Sequence, residues 1–370
     1  MTEKIRSGVK PEERFVSLDF FRGLTMFFLI AESTGIYDHL VDPALGGTVL
    51  STIGTQFHHH PWNGLRFWDL IQPFFMFIVG VAMPFSFGRR WERGEGWGAT
   101  FSHALIRSLL LLLFGVGLYC IGPGRLNFEL WNVLAQLSFT YFVAFLMMRR
   151  PAWQQIGFTF FLLALSEALY RAWSVPGFDQ PFVPDHNFGS WVDLLLMHKL
   201  SRGHWVAFNA VPTTAHTMWG VLAGQLLRSD RPASRKIQIL ALSGLIGVVA
   251  GHALDPVTPI IKRICTSSFV IVSGGWCLLA LAFSYWLVDV RKVRRGTQFA
   301  TDVGMNSLFI YLFTNTGGAG WLTKIVKPFT MGFFSWAGNM TAQLITSAVV
   351  WVLLWYICYW LYQRRIFFRI

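Results

Sequence analysis

The sequence predicts an all-α polytopic membrane protein with about ten transmembrane helices (ten or eleven) and both termini on the cytoplasmic side. Three observations predict it. Hydrophobic residues make up 54% of the 370 and charged residues only 14%, whereas a water-soluble chain carries about 25% charged residues to coat its surface. Apolar runs of the length a bilayer requires recur along the whole chain. The cations gather in the gaps between those runs. The 16% aromatic content excludes a disordered chain, and 34 Gly and 15 Pro scattered without a repeat exclude a collagen-like or low-complexity one.

Crossing the hydrocarbon core takes about 20 mostly apolar residues. Ten stretches qualify: 15–37, 66–88, 100–121, 129–148, 154–173, 207–228, 235–254, 267–289, 299–316 and 341–363. Each is expected to be helical, because lipid offers no partner to an unpaired backbone amide. The stretch 320–338 is interrupted by Pro328 and Gly332, which leaves an interfacial helix, a re-entrant segment and an eleventh span open. The ten runs make residues 1–370 a single transmembrane domain. It begins with a short cytoplasmic tail at 1–14, and 38–65 and 174–206 are its long outer loops.

The cations set the orientation. With the N-terminus inside, twenty Lys and Arg fall on inner segments and nine on outer ones, with Arg22 and Arg107 inside spans. This is the asymmetry that fixes topology in a bilayer. The same distribution argues against nucleic acid as a partner despite the net charge of +12, since that reading needs a basic face on a soluble domain. Cys120, Cys265, Cys277 and Cys358 are far apart and lack a CxxC spacing, so no disulfide framework or zinc site is expected from them. The first residues mix acids with bases and show no small-residue cleavage site, unlike a cleaved signal peptide.

An ionisable group inside a bilayer costs at least about 2.5–3.5 kcal/mol on insertion scales and calls for a reason. Glu32 lies near the outer end of the first span and Asp69 near the outer start of the second. Those helices form an up-down hairpin, so both carboxylates sit at similar depth beside the loop that joins them. That loop carries His58, His59 and His60, then Pro61, Trp62, Asn63 and Gly64. An imidazole beside carboxylates has the makings of a general base with an orienting partner. Taken alone, a His triplet is more often a solvated run. A zinc site would need more ligands, which Glu32 or Asp69 could supply. Asp69 also suits a helix N-terminus as a cap.

Other polar groups read as structural. Asp19 with Arg22, and Glu167 with Arg171, have the spacing of ion pairs on one helix face. Asn306, and Asn132 with Gln136, read as interhelical glue. His216 falls mid-span and either lines a path or donates to a neighbouring helix. His252 and Asp255 sit at the outer end of the seventh predicted span, next to Pro256, where they would rim a cavity beside the histidine loop. The 17 Trp are expected mostly at the interfaces and facing lipid.

Two stretches, SLDFFRGLTMFFLIAE and HHHPWNGLRFWDLIQPFFMFIVGVAMPFSF, resemble the heparan-α-glucosaminide N-acetyltransferase family, in particular its bacterial branch. The later pieces WNVLAQLSFTYF, VLAGQLL, PIIKRICTSSFVIVSGG and GMNSLFIY stand in the family's order, so the resemblance extends over nearly the whole chain. It implies a transmembrane acetyltransferase that moves an acetyl group from cytosolic acetyl-CoA to an amino or hydroxyl group of an amino sugar or glycan. The acceptor would be on the periplasmic side of a bacterial inner (plasma) membrane. Acetyl-CoA is then the co-substrate, and no metal is expected. The partners are the glycan acceptor and the lipid bilayer, and the animal relatives imply a homodimer.

By the same resemblance the catalytic His is His59, acting either as general base or as a brief carrier of the acetyl group, and its supporting carboxylate is Asp69. Where the animal enzymes place a catalytic Asn this chain has Ser33, with Glu32 beside it to take over the orienting role. Trp62 or Asn63 would donate to the oxyanion, and Lys262 would hold the acceptor or the pantetheine end of the donor. His216 is included among the substrate-binding candidates. The competing class is a proton-coupled transporter or flippase for sugars or lipid-linked glycans; against it, no half-to-half repeat is visible.

Overall fold

Backbone amides in hydrocarbon must bond within their own segment, and the chain meets that demand with helices throughout. The computed structural model describes residues 15–293 and 296–368. The tail 1–14, with Lys4, Arg6, Lys10 and Arg14, lies outside the described residues, as do Arg294, Arg295 and Arg369. Among the described residues β pairing is limited to one isolated bridge, between Asn63 and Ile261.

The helices follow the apolar runs. They are α1 (Val16–Glu32), α2 (Ile36–Leu40), α3 (Val49–Gln56), α4 (Ile71–Glu92), α5 (Trp97–Ile121), α6 (Val133–Met147), α7 (Ala152–Ala172) and α8 (Phe188–Met197). Then come α9 (Ala210–Arg228), α10 (Ala233–Leu254), α11 (Ser267–Ser284), α12 (Gln298–Met305), α13 (Ser307–Asn315), α14 (Gly318–Phe334) and α15 (Asn339–Gln363). Five helical stretches are long and apolar enough to cross a membrane: Phe67–Glu92, Trp97–Ile121, Ala233–Leu254, Ser267–Val290 and Asn339–Gln363. The chain is therefore a membrane protein. The other predicted spans are helical but shorter or more polar. With 15 residues, α6 falls below the length of a perpendicular crossing.

Two expectations are revised. The run 299–316 is not one rod: α12 and α13 meet at Asn306, whose backbone leaves the helical region (φ −122°, ψ 32°). The Asn306 side chain binds the chain's last described turn instead, donating to the Ile366 carbonyl at 3.0 Å and accepting from the Phe368 amide at 3.2 Å. Conversely, Pro328 and Gly332 do not interrupt α14, which runs through both. A Thr330–Thr346 hydroxyl contact of 2.6 Å fastens α14 to α15.

Burial identifies the axis of the bundle. Two-thirds of the most apolar stretch of α4 is buried, against 17% for α10, so α4 is enclosed and α10 faces outward. Without a hydrophobic drive in lipid, helices associate by close backbone approach at small residues. A Cβ on Gly80 of α4 would run into the Thr217 carbonyl of α9, and one on Gly220 of α9 into the Phe77 carbonyl of α4. Gly275 of α11 meets the backbone of α10 at Val248 in the same way. The expected ion pairs form: Asp19 with Arg22 at 3.8 Å and Glu167 with Arg171 at 2.5 Å. This packing gathers the C-terminal ends of α1, α5 and α13 with the N-terminal ends of α4 and α6 at one end of the molecule.

Candidate active site

Asp69 sits in a single tight turn, Phe67–Leu70, that leads into α4. Its side chain is wholly buried. One carboxylate oxygen accepts the amides of Arg66 (2.9 Å) and His60 (3.2 Å), so the residue does cap the helix start. The other oxygen lies 2.9 Å from His59 Nδ1. Capping and orienting are thus done by one carboxylate, using different oxygens.

That contact fixes the tautomer. A carboxylate holding two backbone N–H groups is ionised and can only accept, so Nδ1 must carry the proton. Nε2 is then left with a free lone pair, and among the described residues it has no partner. The other two imidazoles point elsewhere. His58 binds the Gly54 carbonyl (2.9 Å) and Asp38 (3.1 Å), and the ring of His60 lies against the α-carbon of Gly64. Gly64 has φ +143° and would bring a Cβ into that ring, so only glycine fits the turn. The three rings do not converge.

Lys262 reaches this centre from 203 residues away because the loop Pro259–Thr266 pairs with the histidine loop. Asn63 bridges to Ile261, and the Gly64 amide donates to the Ile260 carbonyl at 2.8 Å. The loop is laced from within. Asp255 accepts the Ile260 amide (2.8 Å), Thr266 Oγ1 donates to the Pro259 carbonyl (2.7 Å), and Asn209 donates to the Arg263 carbonyl (2.8 Å). The buried ammonium of Lys262 ends 3.1 Å from His59 Nδ1 and 4.0 Å from Asp69. With the Nδ1 proton pointing at Asp69, the lysine acts on the ring as a neighbouring charge.

Electrostatics follow from this geometry. Burial lowers the His59 pKa, the Lys262 charge lowers it further, and Asp69 only partly offsets them, so it comes down to about 4. At neutral pH the ring is an uncharged base. Burial also lowers Lys262, to about 8, against the pull of Asp69 and Glu32, so the lysine remains mostly charged.

His59 and Lys262 open onto a cavity of about 490 Å³. Its lining combines polar Glu32, Ser33, Gln72, Asn132, Thr314 and Asn315 with apolar Leu29, Ile71, Phe75 and Val133. Glu32 accepts the indole N–H of Trp68 at 3.1 Å, which locks the end of α1 to the Asp69 turn at one level, as an up-down hairpin requires. Two further indoles complete the walls. Trp205 stands edge-on to His59 at 5.2 Å and under both Lys262 and Arg263 at 5.3 and 5.0 Å. Trp131 donates at 2.6 Å to buried Asp193 of α8; the same carboxylate accepts the Ala207 amide at 2.8 Å.

The structure therefore brings together His59, Asp69, Lys262, Glu32 and Ser33, and places the other candidates apart. The Trp62 indole donates to the Phe182 carbonyl at 2.8 Å, and Asn63 is exposed outside the cavity wall. His216 is fully buried and bonds Ser273 on α11 at 2.8 Å, an interhelical contact. His252 bonds its own helix at Val248, and Asp255 serves the lysine loop. Trp131 and Trp205, expected among the interfacial and lipid-facing indoles, belong to the cavity. Residue type alone could not single them out, since their roles depend on the fold of segment 174–206.

No family model matches the chain. Over 98% of its length it is 25% identical to human heparan-alpha-glucosaminide N-acetyltransferase, and over 100% it is 24% identical to the mouse protein of that name. The chain is a distant relative of the heparan-alpha-glucosaminide N-acetyltransferases. It spans about three-fifths of the length of these two proteins, 61% and 63%. Because the match to the mouse acetyltransferase covers the whole chain, the histidine loop, the Asp69 turn and the lysine loop all fall within it.

Proposed function

We propose that the chain is a transmembrane acetyltransferase that takes an acetyl group from cytosolic acetyl-CoA to an amino or hydroxyl group of an amino sugar on the opposite, periplasmic face. One observation carries this reading: the His59 imidazole, its Nδ1 2.9 Å from buried Asp69, lines a cavity with polar and aromatic walls. The acceptor nitrogen or oxygen attacks the thioester carbonyl while His59 Nε2 takes its proton. The C–S bond then breaks and the thiolate leaves, recovering the proton from the imidazolium. Asp69 stabilises that imidazolium. The Lys262 ammonium is the cation nearest the ring and supports the developing oxyanion. Trp131 and Trp205 supply the flat faces on which a pyranose ring packs.

The donor is proposed to enter from the far ends of α4, α5 and α6. Arg107 lies ten residues into α5, about 15 Å from its start. Its guanidinium is over the Tyr141 ring at 4.8 Å, and its buried Nε has no hydrogen-bond partner. An incompletely bonded guanidinium at that depth suits a phosphate-bearing chain. Beside it Arg90 contacts Glu95 at 2.9 Å and His103 at 3.3 Å.

The reading is tested by incubating purified protein in detergent with acetyl-labelled CoA and glucosamine. Label on the amine is the expected result. Absence of transfer, together with movement of glucosamine into vesicles containing the protein, would favour a carrier instead.

Lys262 also makes a prediction about pH. Its charge holds the His59 proton affinity down, so Lys262→Met raises that affinity and moves the acid limb of the pH–rate profile toward neutrality. Activity at pH 5 should fall more than activity at pH 8, whereas Lys262→Arg should keep the wild-type limb. Stability carries the same sign. The folded pKa lies below the unfolded value of about 6.5, so the unfolded chain gains protons first, and stability is lost as pH falls from about 6.5 toward 4.

A further inference from the structure

Ile71 lines the catalytic cavity and also a second cavity of about 610 Å³ between α1, α4 and α11. The second one is apolar along its length, walled by Phe20, Leu24 and Phe28 of α1, Phe74 of α4, and Leu279 and Phe283 of α11. From Phe20 to Phe28 is eight residues, about 12 Å of helix, close to the roughly 15 Å depth of one leaflet. The two hydroxyls on its walls are already used: Thr25 bonds the Phe21 carbonyl at 2.9 Å and Ser284 the Ala280 carbonyl at 2.8 Å. Neither has a donor left for a ligand.

The exception is at one end, next to the histidine loop. There Arg66 lines the groove and gives one guanidinium N–H to the His59 carbonyl at 3.1 Å. Among the described residues no carboxylate pairs with it, and a guanidinium has five donors to offer. A leaflet-deep apolar groove ending in an under-used guanidinium is the complement of one kind of molecule, an amphiphile with an anionic head. We propose that the groove holds one acyl chain of an anionic phospholipid, with the phosphate on Arg66. Guanidinium and phosphate match in bidentate geometry. Because the same guanidinium holds the His59 carbonyl, the lipid steadies the backbone of the catalytic loop from its lipid-facing side.

The test is native mass spectrometry of the full chain in detergent with equimolar phosphatidylglycerol and phosphatidylcholine. Glycerophosphoglycerol, the head group without chains, is the control for a free phosphate. Wild type should retain one phosphatidylglycerol per chain at least tenfold over phosphatidylcholine and should not retain the head group. Ala280→Phe, which fills the groove, should lose that lipid about tenfold. Leu24→Trp, filling it from the α1 wall, should repeat the effect if the first variant does not fold. Arg66→Gln should keep a lipid but lose the anionic preference. Equal retention of both lipids by wild type, undiminished retention by the filled variants, or binding of the head group alone would overturn the proposal.

Discussion

Replacing His59 by alanine is expected to lower acetyl transfer by about a thousandfold or more while leaving the fold intact. The imidazole is the one uncharged base on the cavity wall with a free ring nitrogen, and a positioned base contributes about 10²–10⁴ in rate. The fold survives because Asp69 keeps the Arg66 and His60 amides and the nearby Lys262 ammonium, so removing the ring strands no buried charge. Thermal stability within a few degrees of wild type and unchanged acetyl-CoA binding, measured alongside the transfer rate, separate a chemical defect from a structural one. Added imidazole should restore part of the rate. A variant that transfers acetyl at the wild-type rate would place the chemistry elsewhere.

Asp69→Asn should cost about 10⁴ in turnover and also destabilise the protein. The carboxylate accepts from three N–H groups, and an amide cannot. If its NH₂ faces His59, the ring must turn to the Nε2–H tautomer and the base is lost. If it faces the helix start, two donors oppose each other at a buried cap. The figure of 10⁴ is the handicap known when the carboxylate of a Ser-His-Asp triad becomes an amide, and the geometry here is of that kind. Lys262 would lose its nearest anion as well, and an unpaired buried group costs about 1–3 kcal/mol or more. Comparing kcat with the melting temperature of Asp69→Asn and Asp69→Glu checks both halves. An Asp69→Asn enzyme of near wild-type kcat would contradict the tautomer argument.

The sequence carried the centre of this site better than its surroundings. His59 and Asp69 are ten residues apart across a loop and a helix start, so an up-down hairpin alone puts them, with Glu32, at one level. Lys262 could be connected with them only through the resemblance, because the pairing of Asn63 and Gly64 with Ile261 and Ile260 is a long-range event between two irregular loops. Trp205 and Trp131 were illegible for a related reason. An indole at a membrane boundary has the same sequence signature whether it faces lipid or a cavity, and the fold of 174–206 decides which. The bend at Asn306 and the uninterrupted α14 show that apolar runs predict where a helix forms more firmly than where it breaks. A helix can run on through a proline and a glycine, as α14 does, while one asparagine that binds backbone partners elsewhere divides a strongly apolar segment.

Everything in the proposed chemistry depends on which nitrogen of His59 bears the proton at neutral pH. Nitrogen-15 NMR of histidine-labelled protein in detergent, with the His59 signals assigned by their absence from His59→Ala, reads this directly. The account predicts a neutral ring protonated at Nδ1, with Nε2 bare, that takes up its second proton only near pH 4. A ring protonated at Nε2 at neutral pH, or one that titrates at about 6.5 like an unconstrained imidazole, would contradict it.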